Sequence, residues 1–278
     1  MTNERTHDPM LWSTVAIALL VAVTAVAGMY WPATYARETP YSRAGAVASD
    51  MVDLLLVVPV LLISGILGYR GSIPARLVWL GTQGYLFYNF VIYAFGVHFN
   101  ALFLVYLATL GLCFYATIFS VPFIPLERIA QAYGPRAPRK TIAIAFLVLA
   151  LSTAAFDLRE VIPAILAGRV PESAIAVNEP VNFVHVLDLV FLLPSLCITA
   201  SLLFRRKPAG YALVPMLLTV LAIMSMELGS IVAVMGRAGF GMNLPMIISF
   251  AVLGVVFALL LWFYLSLVSR GANAEHLE

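Results

Sequence analysis

Apolar residues fall into runs long enough to cross a bilayer, which takes about 20 residues of helix. The runs cover residues 11–30, 51–69, 77–97, 101–119, 142–156, 184–204, 211–235 and 244–268. Period-two alternation of apolar and polar positions, the mark of a membrane barrel strand, is missing. In lipid every backbone N–H and C=O must be satisfied within its own segment. The pattern therefore predicts an all-α integral membrane protein of eight transmembrane helices, joined by short loops into a single transmembrane domain over residues 1–278.

Composition removes whole classes of function. The chain is 62% hydrophobic and 11% charged, where a soluble domain carries roughly 25% charged residues. Sixteen Lys+Arg and 14 Asp+Glu cannot solvate a globular surface of this size. A water-soluble enzyme and a nucleic-acid binder are excluded, and membrane lipids become the obligatory partners. The few charges also orient the chain. With an even number of spans both termini share one side. On it lie Arg5, Arg70, Arg76, Arg128, Arg136, Arg139, Lys140, Arg205, Arg206, Lys207 and Arg270, eleven in all, against Arg37, Arg43, Arg159, Arg169 and Arg237 opposite. Positive charge marks the cytoplasmic face, so both termini are expected there. The two longest loops, 31–50 and 157–182, then face outward, and residues 160–168 read either as a short helix lying along the interface or as an ordered loop.

One segment recurs. Asp53-Leu54, Pro59, Leu61, Ile63, Leu67 and Arg70 return as Asp188-Leu189, Pro194, Leu196, Ile198, Leu202 and Arg205, at a constant offset of 135 residues. Leucine matches are cheap in so apolar a chain, but the Asp, Pro and Arg are not. The simplest account is two parallel four-helix repeats, about 10–122 and 140–270, of a kind that places a substrate site between the halves in transporters. The stretch Tyr85-x2-Tyr88-Asn89-x3-Tyr93-x2-Gly96-x2-Phe99-Asn100-x-Leu102-Phe103-Leu104, with the Asp-x5-Pro helix before it, resembles a family of uncharacterised bacterial multi-pass inner-membrane proteins. The resemblance implies a bacterial cytoplasmic-membrane location and carries no activity.

Ionisable residues inside a membrane cost about 2.5–3.5 kcal/mol near the centre on insertion scales and are functional candidates by default. Asp50 and Asp53 are expected to open the second span and His185 and Asp188 the sixth, each pair on one helical face at i,i+3. First-turn acids also cap free N–H groups, and that reading stays open for them. Glu227 sits mid-helix between Met226 and Leu228, where no cap explains it. Asp53, Asp188 and Glu227, with Tyr88 and Asn89 from the aromatic third span, form the candidate binding or proton-coupling set. His185, Asp188 and His98 form a candidate set for a divalent metal. Tyr85, Tyr88 and Asn89 share a stripe that either lines a cavity for a flat or isoprenoid ligand or glues helices together. Cys113 and Cys197 read as buried apolar thiols.

The only two lysines, Lys140 and Lys207, fall in cytoplasmic loops, so retinal has no attachment point in the bundle. No phosphate-binding or dinucleotide fingerprint occurs, so no nucleotide is expected, and no hydrolase elbow or zinc-protease signature occurs either. The reading that follows is a membrane protein binding or transporting a small solute or ion through an outward-facing polar site between two four-helix halves. Its rivals are an intramembrane metal-dependent hydrolase acting on lipid, with a carboxylate as base, and a sensor or assembly subunit of an oligomer.

Overall fold

The computed structural model describes residues 10–133 and 137–274, and all regular structure among them is helical. In chain order the helices are α1 (Met10–Tyr30), α2 (Pro40–Val52), α3 (Val58–Tyr69), α4 (Ile73–Phe95), α5 (Phe103–Ser120), α6 (Leu126–Tyr133), α7 (Arg139–Leu166), α8 (Glu172–Val177), α9 (Phe183–Leu187), α10 (Leu193–Phe204), α11 (Pro208–Met235) and α12 (Leu244–Ala274). Seven helical stretches are long and apolar enough to cross a membrane. The protein is a multi-pass helical membrane protein. Arg5, Arg136, His7 and His276 lie outside the described residues, as do both chain ends.

The chain forms two compact units. The first comprises the described residues up to Pro125 together with Pro215–Ser269, and the second comprises Leu126–Val214 with the residues from Arg270 onward. Residues of both sequence halves thus meet inside the first unit, because most of α11 and nearly all of α12 belong to it.

The helix missing from the seven is α4, which sequence reading counted as a full span. It has the length, 23 residues, but carries Thr82, Gln83, Asn89 and three tyrosines. Its position explains the tolerance. In the first unit α3 and α5 both pack along it. On another side α11 closes in on Gly81, where a Cβ would strike the Met216 carbonyl and Thr219. Thirteen of its residues are buried, so most of its surface meets protein rather than lipid.

The second span differs from expectation at its start. Residues 40–50 are too polar and small to read as membrane helix, yet α2 begins at Pro40. Proline at N1 needs no N–H partner, and the Thr39 hydroxyl accepts the Ser42 N–H at 3.0 Å. The helix then runs unbroken to Tyr69. Asp50 and Asp53 therefore lie inside a helix, and the capping reading of both is corrected. Between α2 and α3 the turn widens into a π-helical segment, Asp53–Val57, closed by the Val58 N–H on the Asp53 carbonyl. Pro59 supplies the cause: it has no N–H, and its ring crowds the carbonyl four residues back. A π turn relieves both, and such bulges gather at functional sites. The same device appears at Asp188–Leu192 before Pro194, with the Leu193 N–H on the Asp188 carbonyl. Both segments, and the helices after them with Arg70 and Arg205 at their C-caps, keep the 135-residue register.

In the second unit α7 packs along α10, Arg139 Nη1 donates to the Leu203 carbonyl at 3.3 Å, and Tyr133 stacks on Tyr211 with centroids 5.9 Å apart. The helix α7 continues through Asp157 and Pro163 to Leu166. The loop expected from residue 157 is thus shorter, and residues 160–166 extend the span instead of forming a separate interfacial helix.

Candidate functional site

The first unit holds a buried network of carboxyls and tyrosines built by α2, α4, α11 and the loop after α1. Asp50 has no exposed surface. Tyr35 donates to its Oδ2 and Tyr93 to its Oδ1, both at 2.7 Å. One turn along, Asp53 is 1% exposed; Tyr85 donates to Oδ1 and Asn89 Nδ2 to Oδ2, both at 3.0 Å. Asn89 Nδ2 also lies 3.3 Å from the Tyr85 hydroxyl. Tyr85, Asn89 and Tyr93 recur every four residues on α4, so one stripe of that helix serves both aspartates.

Glu227 joins from α11, partly buried, with Ser49 and Tyr85 as polar neighbours of its carboxyl. Tyr85, bonded to Asp53, thus also neighbours Glu227. A phenol has one hydrogen and can donate to one of these carboxyls at a time. No lysine, arginine or histidine among the described residues pairs with any of the three acids. Every partner named is a neutral O–H or N–H donor.

The walls are close. A Cβ at Gly28 on α1 would overlap Asp50 Oδ2 and lie 2.7 Å from the Tyr35 hydroxyl, so only glycine lets α1 come this near. Tyr35 itself is 2% exposed. Burial, then the Asp50 carboxylate, push its hydroxyl well above the ordinary phenol range. At the loop end of the unit, Asn100 Nδ2 donates to the Thr34 carbonyl at 3.1 Å and to the Tyr106 hydroxyl at 3.2 Å. The Tyr106 ring lies 5.2 Å from that of Tyr93. Glu38 accepts the His98 N–H at 2.8 Å and faces His98 Nδ1 at 3.1 Å, clamping the loop after α1 to the loop after α4.

Of the residues singled out in the sequence, Asp53, Asn89 and Glu227 are brought together. Tyr88 is buried on α4, off the stripe that reaches the acids. Asp188 belongs to the second unit, at the head of its π segment. His185 lies there too, its Nε2 3.9 Å from Asp157 Oδ1 and 3.8 Å from Glu160 Oε2, while the other Glu160 oxygen accepts the Ser173 N–H at 2.7 Å. His98 is in the first unit on Glu38. The proposed metal set is thus divided between units, and among the described residues no group of three or more His, Cys, Asp or Glu is arranged to hold a metal ion. Cys113 is buried but Cys197 is exposed, and both are free, so the expectation of two buried thiols holds for one. Sequence reasoning missed Tyr35, Ser49 and Asp157 altogether. Asp157 is 3% exposed; its signal was there, an acid followed by more apolar helix. No family model, curated protein or solved structure matches this chain.

Proposed function

We propose that the protein is a proton-coupled carrier of a small solute, with Asp53 and Glu227 as the proton-binding pair and Asp50 linking them to the loop end of the first unit. The observation that carries this reading is the pair of carboxyls beside Tyr85, with no cation among the described residues paired to either. Gathering ionised carboxylates in a low-dielectric interior is prohibitive without compensating charge. A bound proton is the smallest counter-charge available, and a hydroxyl between two acids gives it two sites to occupy. Asp50 and Asp53 come from the first sequence half and Glu227 from the second, which suits a site assembled from both repeats. The recurring π segments support the repeat, and the resemblance of the Tyr85–Leu104 stretch supports a bacterial inner membrane.

Asn89 and the tyrosines act here as neutral donors that hold each carboxyl's rotamer whichever charge state it takes. The metal-dependent hydrolase reading gains no support from the geometry of His98, His185 and Asp188. The test is proton flux in phosphatidylcholine vesicles containing the protein and a trapped pH dye, under an imposed potassium diffusion potential. Acidification faster than in empty vesicles, abolished by Glu227→Gln and by Asp53→Asn, is expected. Rates equal to empty vesicles, or unchanged in both variants, would contradict the proposal.

A further inference from the structure

We infer that the cavity at the loop end of the first unit is a binding site for a small carboxylate taken from solution, which on the reading above is the solute moved with the proton. The cavity has a volume of about 180 Å³ and is enclosed by the loop after α1 and the loop between α4 and α5, with Trp31, Thr34, Arg37, His98, Phe99 and Asn100 among its walls. At roughly 30 Å³ per water, it holds about six waters or a solute of about six heavy atoms.

The walls divide by chemistry. Asn100 is fully used by the fold: its amide donates to Thr34 and Tyr106, and its Oδ1 accepts the Leu102 N–H at 2.8 Å. Glu38 is buried and taken by His98 and by the Ser42 hydroxyl. Arg37 is different. It gives Nη1 to the Phe99 carbonyl at 3.2 Å and makes no ion pair among the described residues. A guanidinium has five N–H donors in a planar fork that suits a carboxylate edge-on, and most of them remain for a ligand. His98 is held to Glu38 through Nδ1, which leaves Nε2 on the other edge of the ring. Trp31 and Phe99 supply apolar faces. One cation, one imidazole edge and two aromatic walls around a space of this size select a short monocarboxylate.

The floor explains why the site sits here. Asn100 touches Tyr106, whose ring neighbours Tyr93, and Tyr93 holds Asp50. Tyr35 follows Thr34 in the chain and holds the other Asp50 oxygen. An anion bound at Arg37 is therefore separated from the acids by one layer of tyrosines, which places the anion and the proton on one path.

The experiment uses the full chain in phosphatidylcholine nanodiscs and reads the fluorescence of Trp31, with Trp31→Phe identifying its share of the signal. Acetate and lactate are the probes, acetamide is the neutral control, and discs containing phosphatidylglycerol test a lipid headgroup. A saturable response to acetate and lactate, absent with acetamide, weakened at least tenfold by Arg37→Gln and less by Arg37→Lys, which keeps the charge without the fork, is expected. An equal response to acetamide, a response to phosphatidylglycerol alone, or a response that Arg37→Gln leaves unchanged would overturn the assignment. Proton flux that survives such a failure would leave the proton reading standing, whereas anion binding without flux would remove the coupling and keep the site.

Discussion

Gly28 is the position at which the buried network can be disturbed from outside its own residues. A methyl group added there would occupy the place of Asp50 Oδ2 and crowd the Tyr35 hydroxyl. Asp50 must then swing away from Tyr35, from Tyr93, or from both. Overpacking of a tight interior costs about 1–3 kcal/mol, and losing one hydrogen bond to a charged group costs about 1.5–3 kcal/mol. Gly28→Ala should therefore destabilise the protein by about 2.5–6 kcal/mol. Gly111 on α5 is the control, because a Cβ there meets nothing within 4 Å. Gly111→Ala should gain up to about 1 kcal/mol from helix propensity alone. Reversible unfolding in mixed micelles would measure both, and the cycle with Asp50→Ala isolates the cause. Neighbours that share a contact show coupling of about 0.5–3 kcal/mol, so the penalty should shrink sharply once the Asp50 carboxyl is gone. A Gly28→Ala protein as stable as Gly111→Ala, or a penalty unchanged in the Asp50→Ala background, would refute the geometry.

Two further outcomes follow from particular residues. The Tyr35 hydroxyl is held above its ordinary value near 10 by burial and Asp50, so its contribution to stability is complete below the unfolded value and is lost as pH rises beyond it. Tyr35→Phe should flatten the fall in stability between neutral and strongly alkaline pH; an identical slope in both proteins would count against this. Pro59 forces the wide turn at Asp53, so Pro59→Ala should let the helix return to an ordinary α turn and rotate Asp50 and Asp53 relative to α3. Weaker proton flux with normal membrane insertion is expected, and full flux would show that the π segment is not needed.

The helical membrane class was legible because apolar run length alone decides it. Glu227 stands out as a candidate for a related reason: an acid between Met226 and Leu228 has no capping explanation in a linear pattern. What the pattern could not show was partnership. Asp50 and Asp53 looked like caps because the helix before them, Pro40–Val52, is too polar to register as membrane-spanning. Tyr35 looked like loop because its partner Asp50 is 15 residues away. The α4 helix was counted as an ordinary span although its low apolarity is a consequence of burial among helices. For Asp157 the difference runs the other way: the apolar run stops at residue 156, whereas α7 continues to Leu166.

The central claim is that Asp53 and Glu227 bind a proton within the membrane. Infrared difference spectroscopy of the purified protein across a pH step reads protonated carboxyls directly through their C=O stretch. The account predicts a titrating carboxylic band that shifts in D2O, disappears in Asp53→Asn or Glu227→Gln, and is displaced in frequency by Tyr85→Phe. A spectrum with no such band, or one that both carboxyl variants leave intact, would contradict it.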